Sequence, residues 1–122
     1  MRSCALPIYS MQPDDDARIL HIIKAAESVA AFVANHSRTD LDTNDMLLFA
    51  LVRAVEIIDD AASKVSPETR AKAPDVPWVK IAAMRNRLIP AYFDIDHDIM
   101  WRTAVEEVPG LLSLLLPLLA QE

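Results

Sequence analysis

The sequence predicts an all-α fold, an antiparallel bundle of four to five helices. Three observations lead there. The chain holds a single glycine, too few for the tight turns of a sheet protein. Its apolar residues, 52% of the total, recur at three- and four-residue intervals rather than alternating. Polar and proline-bearing stretches then cut this pattern into segments of helical length. The 122 residues suit one domain. We read residues 13–122 as that domain and residues 1–12, which lack periodicity, as a flexible arm.

Pro13 followed by Asp14-Asp15-Asp16 is a helix-start signal, because acids favour the exposed amide end. Ile19, Leu20, Ile22, Ile23, Ala26, Val29, Ala30 and Val33 continue a stripe that predicts a first helix over 14–35, ended by Asn35-His36-Ser37. Thr43 is a candidate cap for a second helix over 44–65, with Leu48, Leu51, Val55 and Ile58 as its packing face. Ser66-Pro67-Glu68 supplies a cap, a first-turn proline and a first-turn acid for a short turn over 67–72. Pro77 starts a third main helix running to Ile89, where Pro90 stops it. Asp96 caps a fourth helix through Trp101 and Val108, which Pro109-Gly110 bends or breaks. Residues 111–119 comprise seven leucines, a serine and a proline, and so predict a segment buried on more than one side.

Composition also excludes functions. The lone Cys4 makes no internal disulfide and no zinc spacing exists, which fits a reducing, cytoplasmic compartment. No run is apolar for the roughly 20 residues a bilayer crossing needs. Residues 1–7 are too short and too broken for a secretory leader. A net charge of −6 argues against a general nucleic-acid coat. Yet from Trp78 to Phe93 there is no acid, while Lys80, Arg85 and Arg87 give +3, an island suited to an anion. Arg85 and Arg87, two positions apart, point to different faces. Glu56, Asp59 and Asp60 cluster on the second helix. They read as a solvated acidic face or as partners of a basic helix, with acid–base work or binding of a divalent metal as the sharper alternatives. His21 and His36 read as surface residues with no carboxylate at a fixed offset, and no metal or cofactor is expected. Trp78 and Trp101 read as core or interface residues.

Glu56-Ile57-Ile58-Asp59-Asp60-Ala61-Ala62, Val76-Pro77-Trp78, and above all Met84-Arg85-Asn86-Arg87-Leu88-Ile89 with Ala91-Tyr92-Phe93-Asp94 resemble the HepT-like branch of the HEPN domains. The resemblance runs from about Pro13 to Glu122. The family signature is an arginine, a polar residue, a few intervening residues, a histidine, and in this branch a tyrosine two places later. The resemblance implies a symmetric homodimer acting as a metal-independent endoribonuclease, the toxin of a toxin–antitoxin pair. It further implies an MNT-type nucleotidyltransferase partner that neutralises the toxin by transferring AMP to the motif tyrosine. On this reading Arg85 is the motif arginine, Asn86 its polar neighbour and Tyr92 the modified tyrosine. Lys80, Arg85 and Arg87 would contact RNA.

Two residues depart from that pattern. Pro90 stands where the histidine belongs, and proline can neither accept nor donate a proton, so this chain is expected to be inactive or weak. Asp59-Asp60 replaces a common Gly-Glu, which would tighten pairing with Arg85 or Arg87 or hold them from RNA. A different class of function is a non-catalytic binding or assembly protein for a nucleotidyltransferase or a nucleotide. The blandest is a bundle in which Arg85 and Arg87 only pair with Asp59 and Asp60.

Overall fold

The computed structural model describes residues 13–89 and 94–120, and every element among them is helical. Helix α1 spans Pro13–Val33 and buries Ile19, Ile22, Ile23, Ala26 and Val29 on one face. It ends where expected, with Asn35 in the left-handed region at φ 65°, a conformation asparagine tolerates. A 3₁₀ turn, Arg38–Asp42, follows and drives Leu41 into the core. Helix α2 spans Asp45–Ser63 and buries Leu47, Leu48, Leu51, Val55, Ile58 and Ala62. Its cap is Asn44, not Thr43: the Asn44 side chain accepts the Leu47 N–H at 3.0 Å. Thr43 belongs to the preceding turn, which its own N–H closes by donating to the Asp40 carbonyl at 3.2 Å.

Short helix α3, Pro67–Lys72, carries the predicted cap, with Ser66 accepting from the Thr69 N–H. Arg70 turns back to donate to the carbonyls of Ala62, at 2.8 Å, and Val65, at 3.2 Å. It thereby satisfies the exposed carbonyl end of α2. The same guanidinium lies 5.8 Å from the ring centre of Trp78, whose indole N–H donates to the Ala73 carbonyl at 3.1 Å. Trp78 is therefore a core residue. The long third helix expected over 77–89 is two segments, α4 (Trp78–Ala82) and α5 (Met84–Leu88). Between them Ala83, at φ −100° and ψ 0°, forms a turn whose carbonyl accepts from the Asn86 and Arg87 N–H groups at 3.1 and 3.3 Å.

Helix α6, His97–Arg102, is capped by Asp96, which accepts the Ile99 N–H at 3.0 Å. Pro109-Gly110 does not break the chain that follows. Helix α7 runs across both, Val108–Ala120. The adjustment comes one turn earlier, in a π-helical turn, Thr103–Glu107, where the Val108 N–H reaches back five residues to Thr103. Proline has no N–H and its ring crowds the carbonyl four residues before it, so the turn ahead of it widens. Leu111, Leu115 and Leu118 of α7 are buried, but Leu114 and Leu116 are 39% and 46% exposed. The C-terminal run is thus covered on one side only within a single chain.

α1 packs on α2 and α7, and α2 also packs on α4 and α5. The direction of the first pair is set by Asp15. This carboxylate, only 2% exposed, accepts from the Ser66 N–H at 2.9 Å, the Ser66 hydroxyl, and the Thr69 hydroxyl at 2.6 Å. The start of α1 is so pinned beside the end of α2, making the two antiparallel. The sequence reading gave Asp15 only a role at its own helix end. Burial alone would raise its pKa. The hydrogen bonds from Ser66 and Thr69, with the charge of Arg18, outweigh burial and hold it below the ordinary value.

Asp15→Ala is expected to cost about 2–3 kcal/mol, since three donors lose a charged acceptor. Denaturant midpoints at neutral pH check this. A depressed carboxylate pKa stabilises above the unfolded-state value of about 3.9. The gap between native chain and variant should therefore close as pH falls below about 4 through the lowered folded value.

Candidate functional site

The basic island divides between two faces. Arg85, on α5, faces α2: its Nε lies 3.5 Å from Glu56 Oε2. Arg87, half a turn on, faces the π-helical turn and donates to Glu107 Oε1 at 3.0 Å. The expectation that the two arginines diverge holds. The proposed pairing with Asp59 and Asp60 does not. Asp60 is taken by Lys64 at 3.2 Å, and Arg85 reaches Glu56, one turn earlier. Glu107 is held below the usual carboxylate range by the Arg87 hydrogen bond, against its partial burial, with Lys80 and Arg102 adding charge. Lys80 and Arg87 border a shallow apolar cleft of about 630 Å³ with Trp78 and Val79, the latter 80% exposed.

Arg85 borders a different space, a polar cleft of about 440 Å³ between α1, α2 and α5. Arg18 and His21 reach it from α1, and Arg53, Glu56 and Asp59 from α2. Glu56 sits between two guanidiniums, with Arg53 Nη1 also 3.5 Å away. Asp59 is half-buried, which pushes its pKa up, opposed by the charge of Arg85 and assisted by that of Asp60. Sequence reasoning did not join Arg18, His21 and Arg53 to this site. Their only signal was spacing: Arg18 and His21 lie three apart on α1, as do Arg53 and Glu56 on α2, so each pair shares a helix face.

Asn86 is exposed on the outer side of α5. Pro90 and Tyr92 lie outside the described residues. Their stretch is bracketed by a hydrogen bond from the Asp96 N–H to the Leu88 carbonyl, 2.8 Å, which brings the end of α5 to the start of α6. His97 begins α6 as expected and bonds to Asp42 Oδ1 at 2.9 Å, in a cluster where Arg38 bridges Asp42 and Asp98. Asp42 is held below its ordinary pKa by His97 first and Arg38 second. His36 is not the lone histidine the sequence suggested: its Nδ1 lies 2.9 Å from Asp40 Oδ2, four residues on. Among the described residues no group of three or more His, Cys, Asp or Glu is placed to hold a metal ion. No helix there is long and apolar enough to cross a membrane.

Fold and cleft together define a small helical-bundle domain with an arginine-bearing turn set against an acidic helix. The chain belongs to the HepT-like branch of the HEPN family: the family model described as ribonuclease HepT-like matches residues 22–117. The "Putative RNase MJ1380" of Methanocaldococcus jannaschii is 34% identical over 98 residues, covering 80% of this chain and 90% of that protein. The "Putative RNase TTE0752" of Caldanaerobacter subterraneus is 35% identical over 102 residues, 84% and 91% of the two chains. The "Probable ribonuclease HepT" of Thermococcus cleftensis is 33% identical over 90 residues, 74% and 82%. No solved structure matches the chain. The scaffold is that of a HepT-type ribonuclease.

Arg85→Ala is expected to change folding stability by less than about 0.5 kcal/mol, because its ion pair is long and exposed. Arg87→Ala should cost about 1 kcal/mol, as its pair is shorter and better covered. It should also raise the Glu107 pKa toward its ordinary value. Chemical denaturation and carboxyl-resolved NMR titration check the two outcomes.

Proposed function

We propose that the chain is the toxin of a HepT/MNT-type toxin–antitoxin pair, a metal-independent endoribonuclease weakened by Pro90. The observation that carries the reading is family membership combined with Arg85 at the edge of a polar cleft. RNA cleavage of this kind begins with attack of a 2′-hydroxyl on the adjacent phosphate. It needs a positive group for the phosphorane and a group that moves protons. Arg85 supplies the charge, with Asn86 as its polar neighbour. Glu56, at 3.5 Å on an exposed guanidinium, is a loose enough partner to yield it to a phosphate.

RNA would approach through Arg85, whereas Arg87 is already committed to Glu107 and Lys80 lies on that other side. The partner is an MNT-type nucleotidyltransferase that transfers AMP to Tyr92. The exposed Leu114 and Leu116 support a homodimer, since a second copy would cover them. A cytoplasmic location accords with the single cysteine. The alternative, a non-catalytic binding protein for such a partner, draws on the exposed Val79 beside Trp78, an apolar surface without chemistry.

Pro90→His is expected to raise RNA cleavage on the order of 10²–10⁴-fold, the usual worth of a general acid–base group. It should also arrest growth when expressed without the partner. Incubation with partner and ATP should add the mass of one AMP, lost in Tyr92→Phe. A Pro90→His chain that neither cleaves RNA nor arrests growth overturns the ribonuclease reading.

A further inference from the structure

The three carboxylates of the Arg85 cleft are not equivalent. Glu56 lies between Arg53 and Arg85, each 3.5 Å away. Asp60 is exposed and bonded to Lys64 at 3.2 Å. Asp59 is half-buried and takes no hydrogen bond or ion pair among the described residues. It lines the same cleft as Arg85 and feels that charge directly. A half-covered carboxyl without a donor is destabilised as an anion, which raises its pKa. A carboxyl so placed beside a cation in a cleft is a candidate for moving a proton.

We propose that Asp59 moves the proton in RNA cleavage by this chain, taking it from the attacking 2′-hydroxyl and returning it to the leaving 5′-oxygen. The inference rests on the ribonuclease reading and names the group that works where Pro90 cannot. The Asp59 carboxylate removes the 2′-O–H proton as the 2′-oxygen–phosphorus bond forms. The phosphorus–5′-oxygen bond breaks, and the protonated Asp59 gives its proton to that oxygen. The products are a 2′,3′-cyclic phosphate and a 5′-hydroxyl, and the carboxylate is regenerated without any co-reactant. Arg85, on the facing helix, bears the phosphorane charge. Glu56, held between two cations, orients Arg85.

The pH dependence identifies the proton carrier. Asp59 shares the cleft with Arg18 and His21 from α1, Arg85 from α5, and Arg53, Glu56 and Asp60 along its own helix, with Arg85 and Asp60 the charges that act on it. Cleavage by the native chain should rise with pH through a limb above the ordinary aspartate value of about 3.9, as Asp59 ionises. His21 lines the same cleft, so His21→Gln is measured alongside.

The experiment is cleavage of a short single-stranded RNA from pH 4 to 8 by the native chain and by Asp59→Asn, each with Pro90 and with Pro90→His. Asp59→Asn should cost about 10²-fold or more in the native chain and remove the limb. Asp59→Glu should restore part of the rate. With Pro90→His the cost of Asp59→Asn should fall severalfold or more, because the histidine then moves the proton. An equal cost in both backgrounds makes Asp59 structural and overturns the proposal. So does a limb that vanishes with His21→Gln instead, or an Asp59→Asn rate within threefold of native. A native chain that cleaves nothing while Pro90→His cleaves overturns it too, leaving the ribonuclease reading intact. If neither chain cleaves, that reading falls and this one with it.

Discussion

Helix α2 has to bury one stripe of its surface completely while leaving the adjoining stripe charged. Leu51, Val55, Ile58 and Ala62 face the core, and that burial fixes the rotation of the whole helix. Once the rotation is fixed, Glu56, Asp59 and Asp60 have no choice of direction. They line the cleft that α1 and α5 also border, where Arg85 reaches Glu56. The cleft is thus a by-product of core packing. A change in the buried stripe would turn the acids away from Arg85 without touching any of them.

The same logic explains how an acidic chain keeps usable positive charge. Arg70 and Arg87 are consumed internally, one on carbonyls at the end of α2 and the other on Glu107. Arg38 is spent on Asp42 and Asp98. The guanidiniums around Glu56 are held at longer range by a carboxylate they share. Exposed ion pairs of that geometry are worth little, so these cations stay exchangeable. In a protein with net charge −6, local arrangement matters more than the total.

Short-range features were legible in the sequence. Ser66 with Pro67, Asp96 ahead of α6 and Asn35 after α1 act within four residues, and capping chemistry depends on little else. Asn44 was missed for Thr43 because both can cap. What separates them is that the Thr43 backbone is already used in the preceding turn. Asp15 was read as a helix-end charge because its partners, Ser66 and Thr69, lie more than fifty residues away. The cleft was half legible. Arg85 stood out by motif, and Glu56 and Asp59 by clustering, but only helix packing adds Arg18, His21 and Arg53. The two-residue spacing already set Arg87 on another face from Arg85, while Lys80 was grouped with Arg85 because a charge count along the chain carries no information about helix faces.

The hydrogen bond from the Asp96 N–H to the Leu88 carbonyl has a bearing on how this lineage can change. The Leu88 carbonyl and the Asp96 N–H meet at 2.8 Å, so the end of α5 and the approach to α6 lie side by side. That bond helps hold the start of α6 against the end of α5, and Ile89 and Ile95 on either side of it pack against the core. A bond between backbone atoms does not depend on side-chain identity, so this tie between α5 and α6 persists through substitution at Leu88, and at Asp96 only proline, which lacks the N–H, would remove it.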